Sequence, residues 1–189
     1  EDVRRDWMVR PDIPEEEFLA LLDTFQLDIW DHYTHVRVAW VLLRKHGIEE
    51  GFKRIEDALR SFIEHSARTD HRSFHATMTR FWCHMIAYAM QWVAAGSATT
   101  DTSITDRTYS DQSSFKQFIN AVCTKDSALG VAAPLWDKML FKKYYSTSGM
   151  FRNEARAAPS PPKGVPASRP ATKPPRCASQ AMPPSSMND

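Results

Sequence analysis

Between Pro14 and Gly47 the chain runs 32 residues without a glycine or a proline. No residue type there forces the backbone out of a helix, and apolar side chains recur every three to four positions. Asp12, with Pro14 in the first turn and Glu15 three residues on, has the pattern of a capping box, and Phe18, Leu21, Leu22 and Phe25 follow at helical spacing. Asp28 and Asp31 offer a second start, so the pattern predicts either a fresh helix or one long helix that bends. Over residues 28–46, Phe25, Ile29, Val36, Trp40 and Leu43 share one face of a wheel of roughly 100° per residue. His32 falls inside that face, His35 and Asp28 lie on its flank, and Arg37, Arg44 and Lys45 point away. Gly47 suits the end of the element.

The rest of the chain repeats the helical period. A helix is expected from Glu49 to about Ser66, with Phe52, Ile55, Leu59, Phe62 and Ile63 inward and Glu64 and His65 outward. Another, from about Arg72 to Val93, places His75, Met78, Trp82, Met85, Ile86, Ala89 and Val93 on one stripe and His84 opposite. Residues 96–113 are rich in Ser, Thr and Asp and read as a long polar loop. Ser114 opens a short helix with Phe115, Phe118, Ile119 and Val122 inward. Pro134 opens a last one through Leu135, Trp136, Met139, Leu140, Phe141 and Tyr145. Period-two alternation is not sustained anywhere, so strands find no support. From about Ala157 the composition changes to Pro, Ala, Ser and basic residues without an aromatic, which is too little apolar surface to offset the entropy of ordering. The expected architecture is a single all-α domain of five to six helices over residues 1–156, followed by a disordered Pro-rich tail over 157–189.

Charge and cysteine content narrow the function classes. Of 24 basic and 23 acidic residues, five basic residues and one acid lie from Arg156 onward, which leaves 19 against 22, or −3, for the remainder. The expected folded part therefore lacks the electrostatic footprint of a nucleic-acid binder. Cys83, Cys123 and Cys177 make no Cys-x-x-Cys pair and no disulfide framework. No apolar run approaches the ~20 residues of a membrane span, and no basic-then-apolar signal peptide opens the chain. The expectation is a cytoplasmic protein without membrane or nucleic-acid partners. Phosphate loops, Gly-x-Ser-x-Gly and dinucleotide fingerprints do not occur.

The chemistry-bearing residues are histidines. Side chains at i, i+3 and i+4 on a helix are neighbours, so Asp28, His32 and His35 share one side of one helix, and His75 and Thr79 one side of another. Antiparallel packing of the two apolar stripes would let His32, His35 and His75 converge. Three neutral imidazoles with an open position suit zinc, and iron accepts such ligands as well. In this reading Asp28 or Asp31 is a fourth ligand or orients an imidazole N–H, and Thr79 contacts the open position, where an apolar small molecule would react by oxidation or hydrolysis. The alternative is a non-catalytic helical module that binds a ligand or a protein partner. There Asp28–His32 and Asp31–His35 are local i, i+4 hydrogen-bonded pairs, the histidines are structural, and a cavity lined by aromatics such as Trp82 and Trp92, or the tail, does the work.

His32-x-x-His35 with Ala39-Trp40, then Phe74-His75-Ala76-Thr77-Met78-Thr79, then Tyr144-Tyr145-Ser146 and Glu154-Ala155-Arg156, resembles an uncharacterised family of small all-helical bacterial proteins. That family's pattern is His-x-x-His-Leu-x-x-Ala, Tyr-His-Glu-Thr-x-Thr and a closing Tyr-Tyr-Ser. The resemblance spans roughly residues 15–156. It implies an all-α fold and groups His32, His35, His75, Thr77, Thr79 and Tyr145 as one shared site, without supplying a reaction. Ala76 stands where the family has a glutamate, which removes a candidate acid or base, and the proline-rich tail replaces the family's usual ending.

Overall fold

The computed structural model describes residues 2–69, 73–96, 114–124 and 134–160. Among them are seven α-helices and no strand. These are α1 (Val3–Val9), α2 (Glu15–Asp23), α3 (His32–His65), α4 (Ala76–Gly96), α5 (Phe115–Cys123), α6 (Thr147–Met150) and α7 (Asn153–Ala157). The expected polar loop and residues 161–189 of the expected tail lie outside the described residues. No helix among the described residues is long and apolar enough to cross a membrane.

α3 is two limbs, 32–46 and 48–65, joined at Gly47. Gly47 sits at φ 72° and ψ −173°, a region open essentially to glycine alone. The corner is sharp. Residues eight apart in a straight helix stand about 12 Å apart along the axis, yet a Cβ built on Gly51 would lie 3.1 Å from the Leu43 Cα. The second limb therefore folds back against the first, and Gly47 separates the two segments as the sequence pattern expects. α2 and α3 are likewise separate: the chain leaves α2 through Phe25, a non-glycine at φ 59°, and Asp31 caps the new start by accepting the Thr34 N–H at 3.0 Å.

The core lies between α3, α4 and α5. Trp40, Leu43, Ile55, Phe62, Ile86, Met90, Phe118 and Ile119 are fully buried there. α1, unforeseen as a helix, brings the buried Trp7 against His32 and Tyr33, and the Lys116 ammonium of α5 donates to the Trp7 carbonyl at 3.2 Å. A second apolar cluster, Phe81, Leu140, Phe141 and Met150, joins the C-terminal segment to α4.

Several expectations need correction. Ile29, expected on the inward face, precedes α3 and is 56% exposed, and α4 starts at Ala76 rather than near Arg72. α2 starts at Glu15 behind Pro14 with no side-chain cap. Asp12 is engaged elsewhere, accepting from the Tyr33 hydroxyl at 2.9 Å and facing the Arg37 guanidinium at 3.4 Å. Arg37 itself is buried rather than outward, because the 12–14 segment, Phe18 and Phe115 cover that side of α3. The last expected helix is a series of short turns. Asp137 accepts from the Met139 N–H at 2.9 Å and Ser146 from the Gly149 N–H at 3.0 Å, so local side-chain caps interrupt the segment twice.

Candidate functional site

The histidine motifs act at the starts of α3 and α4, where orphan N–H groups and chain entry make polar side chains useful. Asp31 is saturated: Oδ1 accepts from the Thr34 N–H and hydroxyl, and Oδ2 pairs with Arg10 at 2.6 Å. Burial by itself would raise its pKa, but the Thr34 N–H and the Arg10 guanidinium hold it below the ordinary aspartate value. Asp28 is exposed and pairs with Arg68 at 3.2 Å, away from His32. His35 turns its Nδ1 to the Asp31 backbone carbonyl and packs its ring edge on Trp30 at 4.6 Å.

His32 is wedged between Trp7 and Trp82, with ring centroids 5.5 and 4.4 Å away. Its Nε2 lies 2.7 Å from the Leu135 carbonyl, 103 residues along the chain. A carbonyl only accepts, so this nitrogen carries the proton. His75 stands immediately before α4 and uses both ring nitrogens. Nε2–H donates to the Met150 carbonyl at 2.7 Å, and Nδ1 accepts from the Met78 N–H at 3.2 Å. The ring is at once a helix cap and a long-range fastener. Next to it the buried Thr77 hydroxyl donates to the Ala155 carbonyl at 2.7 Å and accepts from the Ser160 N–H at 2.9 Å. Arg156 reaches back to Ser73 at 2.7 Å, and the Tyr145 hydroxyl donates to the Ser160 carbonyl at 3.2 Å. The segments Phe74–Thr79, Tyr144–Ser146 and Glu154–Arg156, distant in sequence, thus meet around one backbone latch that extends through Ser160.

The expected ligand set does not assemble. His32 contacts Trp82, seven residues beyond His75 on α4, so the two rings meet that helix about 10 Å apart along its axis. Asp28 faces solvent, and Thr79 contributes its backbone N–H to the His75 carbonyl at 2.9 Å in the first turn of α4. Among the described residues no three His, Cys, Asp or Glu side chains form a group that would hold a metal ion. Of the residues grouped by the resemblance, His75, Thr77 and Tyr145 lie around the latch with Thr79 beside it, whereas His32 and His35 bond the Leu135 and Asp31 carbonyls.

No family model, curated protein or solved structure matches this chain.

Electrostatics agree with neutral rings. Burial lowers the pKa of His32, with Lys138 adding to the effect against the Leu135 carbonyl, Asp31 and Asp137. Burial also lowers that of His75, reinforced by Arg156 and opposed by the Met150 carbonyl. His84 shifts the same way, through burial and Arg80. Each group binds its proton more weakly folded than unfolded, so the stability it contributes is complete above the unfolded value of about 6.5 and is lost as pH falls below it. The urea midpoint is expected to hold between pH 8 and 7 and to drop from roughly pH 6.5 toward 5. His32→Gln with His75→Gln should flatten that drop. Asp31 acts in a separate, more acidic window, because its folded-state pKa lies below the ordinary carboxylate value.

Sequence reasoning missed one surface. Ile48 and Phe52 on the second limb of α3, His84, Met85 and Tyr88 on α4, and Tyr144 line an open groove of about 480 Å³. The signal was present in His84, Tyr88 and Trp92, spaced i, i+4, i+8 on the face opposite the expected inward stripe of this helix.

Proposed function

We propose that this chain is a non-catalytic helical binding module. Its histidines fasten the chain's own backbone, and its working surface is the aromatic groove beside α4. The observation that carries this reading is the double commitment of His75. With Nε2–H on the Met150 carbonyl and Nδ1 on the Met78 N–H, the ring has no lone pair to offer a metal while the latch is closed. Recruiting His32 as well would mean releasing the Leu135 carbonyl and drawing together rings held at separate turns of α4. Each such release leaves a backbone group unpaired, at a cost of about 1–3 kcal/mol.

The groove supplies what a binding reading needs: contiguous exposed aromatic surface with polar tips. Tyr88 and Trp92 are both exposed and pair edge-on at 6.2 Å. The test is metal analysis of protein purified without an affinity tag, together with melting curves in equimolar zinc or ferrous iron. Less than a tenth of an equivalent of metal and an unchanged Tm are expected. A stoichiometric transition metal that disappears in His32→Ala and His75→Ala would overturn the reading and restore the metal site.

A further inference from the structure

The open groove has a candidate occupant in the same chain. Along α4, His84, Tyr88 and Trp92 form one stripe about 12 Å long at helical rise, with Trp92 49% exposed at its far end. Tyr144 lines the groove and packs on Phe81 at 5.4 Å, while its neighbour Tyr145 packs on the same ring at 6.0 Å and holds the Ser160 carbonyl. The described chain therefore ends one tyrosine away from a groove-lining residue.

We propose that the proline-rich segment 161–189 docks in this groove in a polyproline conformation, as the ligand of the binding module inferred above. Eight of the twelve prolines fall in that segment. A polyproline helix has no internal hydrogen bonds, so its carbonyls are available to hydroxyl and indole donors while prolyl rings lie between aromatic side chains. The groove offers hydroxyls in Tyr88 and Tyr144, and Trp92, which packs on Tyr88 at 6.2 Å, adds an indole beside it. Length is ample: at ~3.1 Å per residue, a stripe of ~12 Å takes about four residues, and 29 follow Ser160 in a chain of 189. Charge favours the pairing, because Lys163, Arg169, Lys173 and Arg176 meet a body, residues 1–160, with 20 basic against 22 acidic residues. Tethering places the segment at an effective concentration of the order of millimolar, enough to populate an individually weak contact.

The full chain carries the means to test this. Cys83 and Cys123 are buried, and burial pushes both thiols up to about 12, so a nitroxide reagent at neutral pH is directed to Cys177. In dilute, ¹⁵N-labelled, spin-labelled protein, the His84–Trp92 amide signals and the Trp92 indole signal are expected to lose at least half their intensity. Signals of α1, such as that of Asp6, which lies on the side of the fold where Trp7 packs on His32 and Tyr33, should keep theirs. The loss should vanish in Trp92→Ala, an exposed position whose fold is checked by circular dichroism. It should vanish equally when Pro166, Pro170, Pro174 and Pro175 are replaced by glycine. Uniform broadening over the whole surface would overturn the proposal. So would broadening that appears when unlabelled spin-bearing chains are mixed with ¹⁵N chains lacking the label, since the occupant would then be a second copy. Neither outcome touches the histidine latch, which the metal titration tests separately.

Discussion

Arg37→Ala is expected to lower the unfolding free energy by about 3–5 kcal/mol, the cost typical of breaking a buried ion pair by removing one partner. Arg37 is 7% exposed. Its guanidinium faces Asp12 at 3.4 Å, donates to the Ile13 carbonyl, and stacks on Phe18 at 4.2 Å. Truncation leaves the Asp12 carboxylate, among the described residues, with the Tyr33 hydroxyl, removes the Arg37 donor from the Ile13 carbonyl and opens space beneath Phe18. The negative charge on Asp12 also matters to Tyr33, whose phenol is pushed well above its ordinary pKa by burial first and by Asp12 second. Combining Arg37→Met with Asp12→Asn removes both charges while keeping volume, and should recover most of the loss, because the penalty lies in an uncompensated charge rather than in a missing bond. Urea denaturation followed at 222 nm measures both variants. A change below about 1 kcal/mol for Arg37→Ala would match an exposed side chain and contradict the burial described.

His75→Ala is the second large effect, about 2–4 kcal/mol, and its signature is local. The variant leaves the Met150 carbonyl unpaired, at about 1–3 kcal/mol, and uncaps α4, at about 1 kcal/mol. Those contacts hold the 134–160 segment to the start of α4, so amide exchange should accelerate at Met150, Phe151 and Ala158 while α3 amides such as Leu43 keep their protection. Thr77→Val attacks the same latch through the Ala155 carbonyl and the Ser160 N–H. Because both residues secure one segment, the double variant should cost less than the sum of the singles by about 1 kcal/mol. Unaltered exchange at Met150 and Ala158 in His75→Ala would mean that the latch is held by Phe141, Met150 and Tyr145 packing instead.

Helical periodicity carried the fold. Phe18 and Leu22, Val36, Trp40 and Leu43, Phe52, Ile55, Leu59 and Phe62, and Phe115, Phe118, Ile119 and Val122 are buried where a 3.6-residue period places them, and Gly47 marks the corner; between Val36 and Leu43 burial runs all round the helix. The period failed for Arg37, since a wheel describes one helix and knows nothing of the loop and helix that cover its far side. It failed again after Pro134, where Asp137 and Ser146 compete for backbone N–H groups within a few residues. The histidines show the limit most plainly. Helical spacing puts His32 and His75 inward, but an inward ring is satisfied by whichever backbone passes it. The passing carbonyls belong to Leu135 and Met150, and no local pattern signals either. The groove was readable in principle, from aromatic residues repeating at i+4 on the face opposite the expected inward stripe.

The direct test of the account is the protonation state of the His75 ring. In ¹⁵N-labelled protein at pH 7.5, long-range imidazole correlations should show a single neutral tautomer with the proton on Nε2 and an unprotonated, hydrogen-bonded Nδ1, unchanged when equimolar zinc is added. A proton on Nδ1, tautomer exchange, or a zinc-dependent shift of either nitrogen would show that the ring is not committed to Met150 and Met78, and would contradict the latch.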